Sequence, residues 1–321
     1  MPATAVTASR FRGLDGLRAL AALAIFLHHV GFWSGATFTG FWGNYLGRLD
    51  IGVPVFFSLS GFLLFRPIAV SVLSDGRPLR PAGEHLWRRA LRIYPAFWVA
   101  LTLIVAFTSE EFVDVTGAVV TYLLVHIHWP THTIGPMPQA WSLATEVSFY
   151  VALPVLARLA RPALVGRPHR TRVAGLFAVT AGCYLLSIAF RVFVFGLDNR
   201  WTESALLWLP STFDYFAIGM ALAVAHVGLR EGSGLRDRVE RLAAPAGLWW
   251  IAGFVAFTIV SQWMGLALGL ETASWPREMA RQFVYGVVGF TLLFPLVFGT
   301  ATRSSVRRFV GSGPAEWLGT I

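Results

Sequence analysis

The chain has 321 residues, of which 55% are hydrophobic and 13% are charged, and its mean hydropathy is +0.61. This composition excludes an ordinary soluble domain and is typical of a protein that crosses a membrane several times. The net charge of +9 comes from arginine, because the sequence contains no lysine, and most arginines stand in short loops between apolar runs. Membrane topology therefore explains the charge better than binding to a nucleic acid. The single Cys183 excludes a disulfide framework.

Apolar periodicity and length predict the membrane spans in chain order. Eight segments are long enough to cross a bilayer: 14–33, 51–73, 90–107, 139–157, 173–196, 205–227, 243–269 and 281–300. A shorter apolar segment lies at 112–127. Arginine-rich loops lie at 77–92, 158–172, 230–241 and 303–308, and the positive-inside rule places all four in the cytoplasm.

This topology requires 112–127 to be a short re-entrant or outer-facing segment; the alternative is a ninth span with one misplaced basic loop. We predict an all-α, polytopic transmembrane helical bundle of eight to nine spans plus the short outer segment, in a single domain over residues 1–321. The polar N-terminus is followed by an apolar run without a cleavage pattern, so the first helix is expected to be retained. The expected location is the cell membrane, with a cytoplasmic N-terminus.

Two polar residues on the first span suggest chemistry. Arg18 and His29 are eleven residues apart, which places them on one helical face, within about 20° of each other and about 16 Å apart along the axis. A charged side chain within a membrane span is energetically costly, so this pair indicates a functional or structural role. His28 lies about 80° off that face, which favours His29 as the chemical base. The alternative is that Arg18 snorkels to the interface and His29 packs between helices.

Other polar residues enter the spans at two predicted depths. Arg89 and Arg92 share a helical face at the predicted cytoplasmic start of the third span, where guanidinium groups suit phosphates; simple positive-inside anchoring is the alternative. Glu146 falls within the first two turns of the fourth span, on the predicted outer side. There it either pairs locally or orients the imidazole of His29.

Arg191 and Asp214 are predicted to form a buried ion pair, with a contribution to an acceptor cavity as the alternative. His126, His128 and His132 have the ligands for a metal site, but Pro130 and the lack of nearby carboxylates argue against a metal.

Four motifs in order resemble those of the acyltransferase family 3 membrane enzymes. RGLDGLRALAALAIFLHHVGFW is similar to the opening Arg-x10-His helix, and DIGVPVFFSLSGFLLFRP to the second-span FF-x-L-S-G-F-L signature. RRALRIYPAFW resembles the Arg-x-x-Arg-x-x-P stretch, and QAWSLATEVSFY the W-S-L-x-x-E-x-x-F-Y stretch. These motifs cover about the first half of the chain, and the remainder matches only as a run of hydrophobic spans.

The resemblance implies transfer of an acyl group, by default acetyl, from cytoplasmic acyl-CoA to a hydroxyl of an envelope glycan, a lipid-linked sugar or a similar acceptor. No permanently bound cofactor or metal is implied. By this resemblance Arg18, Arg89 and Arg92 would bind the CoA phosphates. His29 would act as general base or as transient acyl carrier, and Glu146 would assist it. Trp141 and Ser142 would line the acceptor side, and Ser60 and Ser142 are the candidate oxyanion donors.

The chain departs from the family pattern in two places. Pro54 stands where many relatives carry an acid, and the chain ends at GPAEWLGTI, where the family usually continues through another hydrophobic span. The resemblance therefore leaves two alternatives: the protein lacks a final span, or the sequence is a fragment.

A transporter or flippase for a lipid-linked or anionic substrate is the rival function, but no second Arg-x10-His-like helix occurs in the C-terminal half. A non-catalytic membrane scaffold would not explain a base and three arginines aligned along a candidate pore.

Overall fold

The computed structural model describes residues 11, 13–74, 78–197, 199–230, 232–266, 268, 274–299 and 304–320. Within these ranges the chain is helical, with no β-strand, which confirms the predicted all-α class. In chain order the helices are α1 (Leu14–Trp33), α2 (Gly40–Arg48), α3 (Gly52–Leu73), α4 (Ala82–Phe107), α5 (Val115–Tyr122), α6 (Trp141–Leu164), α7 (His169–Leu197), α8 (Thr202–Leu206), α9 (Leu209–Gly228), α10 (Gly234–Ala243), α11 (Ala246–Gln262), α12 (Trp275–Phe298), α13 (Ser305–Val310) and α14 (Gly313–Thr320).

In the described part of the chain, seven helical segments are long and apolar enough to cross a membrane. An eighth is counted if α10 and α11, which meet at a bend of 60°, form one span. The eight segments predicted as spans each correspond to one of these, and the protein is a multi-pass membrane protein.

The short segment at 112–127 is not a span. It folds into α5, whose eight residues extend only about 12 Å, far less than the roughly 30 Å of a hydrocarbon core. Side chains on α4 bind the carbonyls where α5 ends: the Tyr94 hydroxyl donates to Leu123 O and the Trp98 indole to Tyr122 O, both at 2.9 Å. The alternative of a ninth full span is therefore wrong.

Several predicted span boundaries differ from the observed helix ends, and the third span and the segment 243–269 are examples. The third span was expected to begin at residue 90, but α4 begins at Ala82, because the polar turns around Glu84 and Arg88 continue the helix. The segment 243–269 was expected to be one continuous span, but α11 covers only Ala246–Gln262. Pro245 separates it from α10, and part of the segment's C-terminal end lies outside the described residues.

Contacts divide the chain into two compact units. The first unit contains residues up to Ser60 together with those from Leu229 onward, and the second unit is Gly61–Gly228. The boundary falls within α3. The prediction of a single domain stays a prediction.

In the second unit α9 is the central helix. In the segment Thr202–Gly228, 72% of the most apolar stretch is buried, compared with 11% in α4. The C-terminal half of α3 approaches α9 so closely that a Cβ at Gly61 would collide with the carbonyl oxygen of Phe216. The rings of Phe149 and Phe216 stack with centroids 4.0 Å apart, which joins α6 to α9. A helix buried on most sides needs small and planar groups at these contacts.

Basic side chains at the start of α7 bind the carbonyl ends of two neighbouring helices. Arg172 Nη1 donates to Val72 O at 3.0 Å, and His169 Nε2 donates to Gly228 O at 3.1 Å. These carbonyls lack helical partners because they belong to the last turns of α3 and α9. The ends of α3 and α9 and the start of α7 therefore lie at one end of the second unit.

In the first unit, polar pairs join α2 to α11. Asn44 Nδ2 donates to Gln262 Oε1 at 3.0 Å, and the Tyr45 hydroxyl donates to Thr258 Oγ1 at 3.4 Å. The α11 and α12 helices pack side by side, with the Trp250 indole donating to Leu292 O at 3.3 Å. These contacts bring the C-terminal helices against the segment that precedes the second span.

Candidate active site

The polar line predicted on the first span lies on one continuous helix. α1 runs from Leu14 to Trp33 and therefore contains both Arg18 and His29. The rise of an α-helix puts these two residues about 16 Å apart along its axis. Their predicted joint role in binding and chemistry stays a prediction.

Arg18 forms a local ion pair. Its Nη1 lies 2.8 Å from Asp15 Oδ1 and donates a second hydrogen bond of 3.3 Å to Gly319 O, at the end of α14. The guanidinium thus holds the C-terminal helix against the start of α1. A CoA phosphate at Arg18 would have to compete with the carboxylate of Asp15.

His28 and His29 have different surroundings although they are adjacent. His28 Nδ1 lies 3.2 Å from Leu46 O, so its imidazole joins α1 to α2. The two imidazole rings meet edge to face with centroids 5.1 Å apart. His29 is half-buried and close enough to Asp50 for their charges to interact. The choice of His29 as the chemical base stays a prediction.

Asp50 was missed by the sequence analysis. It stands in a single 3-10 turn, Leu49–Ile51, immediately before α3. The Tyr285 hydroxyl donates to its Oδ1 at 2.5 Å, and Arg281 Nη1 lies 3.9 Å from its Oδ2. A signal was present: Arg281 and Tyr285 are spaced i, i+4 on the last span, so they form one polar face where charge is costly.

In the second unit, Arg89, Arg92 and Glu146 meet around Tyr150. The Tyr150 hydroxyl hydrogen-bonds to the carboxylate of Glu146, and Arg89 Cζ lies 5.6 Å from the centroid of the Tyr150 ring. The charge of Arg92 also acts on Tyr150. The prediction that Glu146 and the two arginines lie at opposite depths is wrong, because all three act on Tyr150. Because α4 begins at Ala82, Arg89 lies in its third turn and Arg92 in its fourth, and neither lies at its start.

Tyr150 is the last residue of the motif QAWSLATEVSFY, and no role was predicted for it. It is 5% exposed, and the His85 ring meets it edge to face at 6.4 Å. Its spacing of four residues from Glu146 on α6 is the signal that predicts their contact.

The remaining predicted residues lie in ordinary helical surroundings. Ser142 Oγ donates to Gln139 O at 3.1 Å, at the start of α6. Trp141 is partly buried and packs against a cluster that includes Phe97 and Leu101. Ser60 lies within α3 and is half-buried. The acceptor and oxyanion roles of these residues stay predictions, as does the suggested contact between Glu146 and His29, which belong to different units.

The ion pair predicted between Arg191 and Asp214 is confirmed. Arg191 Nη2 lies 3.3 Å from Asp214 Oδ2, and the two side chains are only 6% and 4% exposed. Ser187 Oγ donates to Asp214 Oδ1 at 3.0 Å. This network joins α7 to α9, so it explains both residues without an acceptor cavity.

The three histidines after α5 are arranged for packing. Burial, and to a lesser extent the charge of neighbouring His128, lowers the pKa of His126 from the ordinary 6.5 to about 4. The His126 ring is therefore neutral at physiological pH. His132 Nε2 lies 3.5 Å from Asp114 Oδ1. In the ranges that the structure describes, no three His, Cys, Asp or Glu side chains are grouped to hold a metal ion.

Comparisons with known proteins agree with the motifs. A family model described as an acyltransferase domain matches residues 11–321. Peptidoglycan O-acetyltransferase OatA of Listeria monocytogenes is 29% identical over 158 residues, which cover 44% of this chain and 23% of OatA. YrhL of Bacillus subtilis, a candidate peptidoglycan O-acetyltransferase, is 26% identical over 226 residues, which cover 61% of this chain and 33% of YrhL.

Nodulation protein 10 of Rhizobium leguminosarum is 24% identical over 270 residues, which cover 76% of this chain and 65% of that protein. The three matches therefore span from 23% to 65% of the relatives' own lengths. No solved structure matches the chain significantly.

Proposed function

Because the chain belongs to the acyltransferase domain family, whose model matches residues 11–321, we propose that it is a membrane O-acetyltransferase. It would take an acetyl group from acetyl-CoA on the cytoplasmic side and transfer it to a hydroxyl of an envelope glycan or a lipid-linked sugar. Two similar proteins are named for O-acetyl transfer to peptidoglycan, which supports a glycan acceptor here.

The observation that carries the proposal is the environment of His29. It is an imidazole in a membrane helix, beside a histidine that is already engaged with a backbone carbonyl and near a carboxylate. As general base, His29 removes the proton of the acceptor hydroxyl while that oxygen attacks the thioester carbonyl. The tetrahedral intermediate collapses to the acetyl ester and CoA thiolate. The thiolate then takes the proton from the imidazolium and leaves as CoA. Transient acetylation of His29 requires the same side chain.

Basic groups supply the charge that a CoA donor needs. Arg89 is half-buried and Arg92 is exposed, and guanidinium groups bind phosphates through several hydrogen bonds at once. We assign the CoA phosphates to these two arginines, with Arg18 as a third contact that would be reached by exchange with Asp15.

Acetyl-CoA-dependent release of free CoA tests the proposal. Native membranes containing equal amounts of wild type, His29→Ala or His28→Asn are supplied with acetyl-CoA and isolated cell-wall glycan. We expect His29→Ala to lose about 100-fold or more of the activity, because proton transfer by a positioned side chain contributes about that much. His28→Asn keeps a side-chain donor for Leu46 O and should stay within a few-fold of wild type.

Equal activity in wild type and His29→Ala would exclude His29 as the reacting base. A wild type that releases no CoA, in membranes where the glycan is present, would contradict acyl transfer and favour a transporter, which should be indifferent to acetyl-CoA.

A further inference from the structure

Pro54, in the second-span motif, provides no polar side-chain group. A carboxylate is nevertheless present one helical turn earlier, at Asp50. Sequence spacing gives this residue no role, since a single 3-10 turn has no periodicity to read.

The contacts of Asp50 fix its carboxylate. Tyr285 is buried and donates to Oδ1 at 2.5 Å, while Arg281 lies 3.9 Å from Oδ2. Arg281 is itself held by Glu278, whose Oε2 lies 2.5 Å from Nη2. A hydrogen bond to one oxygen and a cation beside the other hold the carboxylate in one orientation.

The segment that carries Asp50 is packed against α1 on both sides of that residue. On one side, His28 Nδ1 contacts Leu46 O at 3.2 Å. On the other side, Gly52 lies so close that an added Cβ would stand 2.8 Å from Ile25 Cγ1 and would collide with the carbonyl oxygen of Ala21. Ile25 is one helical turn before His29, so Asp50 is held beside the part of α1 that presents the imidazole. Asp50 and His29 are close enough for their charges to interact.

We propose that Asp50, fixed by Tyr285 and Arg281, is the positioning residue that orients the imidazole of His29 and stabilises the imidazolium formed during acyl transfer. A carboxylate beside a catalytic histidine selects the ring orientation and favours its protonated form at the moment of proton transfer. Asp50 touches neither donor nor acceptor in this scheme. The inference rests on the proposed function and assigns to Asp50 the orienting role that the sequence suggested for Glu146.

Steady-state kinetics in native membranes with acetyl-CoA and cell-wall glycan test the inference. Asp50→Asn keeps the size and a hydrogen-bond acceptor for Tyr285 but removes the charge. We expect its kcat to fall about 10- to 100-fold, part of the full contribution of a positioned base, with a KM for acetyl-CoA within about two-fold of wild type. Asp50→Glu restores the charge and should recover part of kcat. Glu84→Gln, an exposed acid paired with Arg88, is the matched control and should match wild type.

Two outcomes separate this inference from the proposed function. If wild type is active and depends on His29 but Asp50→Asn keeps its kcat, Asp50 does not position the base and only the inference fails. If wild type releases no CoA, the proposed function fails and this inference with it. Should Asp50→Asn not accumulate in membranes, Tyr285→Phe replaces it: a several-fold fall in kcat at constant KM supports the inference, and an unchanged kcat overturns it.

Discussion

Arg88 and Arg89 are consecutive but have opposite surroundings. Arg88 is 60% exposed and pairs with Glu84 one turn earlier on the surface of α4, at 2.9 Å. Arg89 is half-buried and lies over the ring of Tyr150, whose hydroxyl binds Glu146. An exposed pair of this kind contributes little, whereas a guanidinium in a polar cluster gains more from each phosphate contact.

This contrast yields a prediction about the donor. Arg89→Ala should raise the KM for acetyl-CoA about 10- to 100-fold, because a hydrogen bond to a charged group is worth about 1.5–3 kcal/mol. Arg88→Ala should leave KM within about two-fold of wild type. The measurement is the acetyl-CoA dependence of CoA release in native membranes. An equal KM in both variants would remove Arg89 from the phosphate site.

The residues that the sequence predicted have partners that can be readily recognised from the sequence, and those it missed do not. The pair Arg191 and Asp214 was predicted because two opposite charges in adjacent apolar spans have few other solutions. Asp50 was missed because its partners Tyr285 and Arg281 are more than 200 residues away in sequence and its own segment is a single 3-10 turn. Tyr150 was missed because a tyrosine in a membrane span is common, although its spacing from Glu146 predicts a helical contact.

At the scale of elements, the contact between α3 and α9 depends on the absence of a side chain at Gly61. An added Cβ there meets the backbone carbonyl of Phe216, which cannot move without bending α9. Gly182 lies in the interior of α7 and has no atom within 4 Å of an added Cβ. Replacing these two glycines by alanine should therefore change the free energy of unfolding in opposite directions.

We expect Gly61→Ala to lower the free energy of unfolding by about 1–3 kcal/mol through overpacking. Gly182→Ala should raise it by about 0.5–1 kcal/mol, because alanine loses less backbone entropy in a helix. Heating purified protein in detergent and measuring the fraction that remains monodisperse by size exclusion compares the two variants with wild type. An unchanged or higher midpoint for Gly61→Ala would contradict the close approach of α3 and α9, and a lower midpoint for Gly182→Ala would contradict the open space beside that residue.

Hydropathy predicted the existence of the spans but not their ends. The apolar part of each span is determined by the favourable transfer of its side chains to hydrocarbon, and the sequence shows this directly as hydropathy. Helix ends depend on polar turns that continue past the apolar run, as at Ala82, or on a proline that interrupts it, as at Pro245. Hydropathy also does not predict which helix is central. The segment that contains α9 has a mean hydropathy of 1.3 and is mostly buried, whereas α4 has a mean hydropathy of 1.8 and is mostly exposed.

At the scale of the whole chain, the contacts of one arginine-rich loop bear on the topology. Arg172 binds the end of α3 and His169 the end of α9, so the loop at 158–172 shares one end of the second unit with the chain that leaves α3. An even number of spans must therefore separate the loops at 77–92 and 158–172, as α4 and α6 do when α5 is not counted. The structure thus gives a reason for this arrangement that is independent of the positive-inside rule.

Cysteine labelling tests which side these loops face. In a Cys183→Ser background, single cysteines replace the exposed residues Arg80, Glu110 and Arg167. Because α4 extends about 39 Å, Glu110 lies across the membrane from Arg80. A membrane-impermeant maleimide should label Glu110→Cys in intact cells, and Arg80→Cys and Arg167→Cys only after permeabilisation. If only one of Arg80→Cys and Arg167→Cys were labelled in intact cells, the two loops would face opposite sides and α5 would have to be part of a span. Labelling of both in intact cells would place the arginines outside, away from cytoplasmic acetyl-CoA, and would contradict the proposed path of the donor.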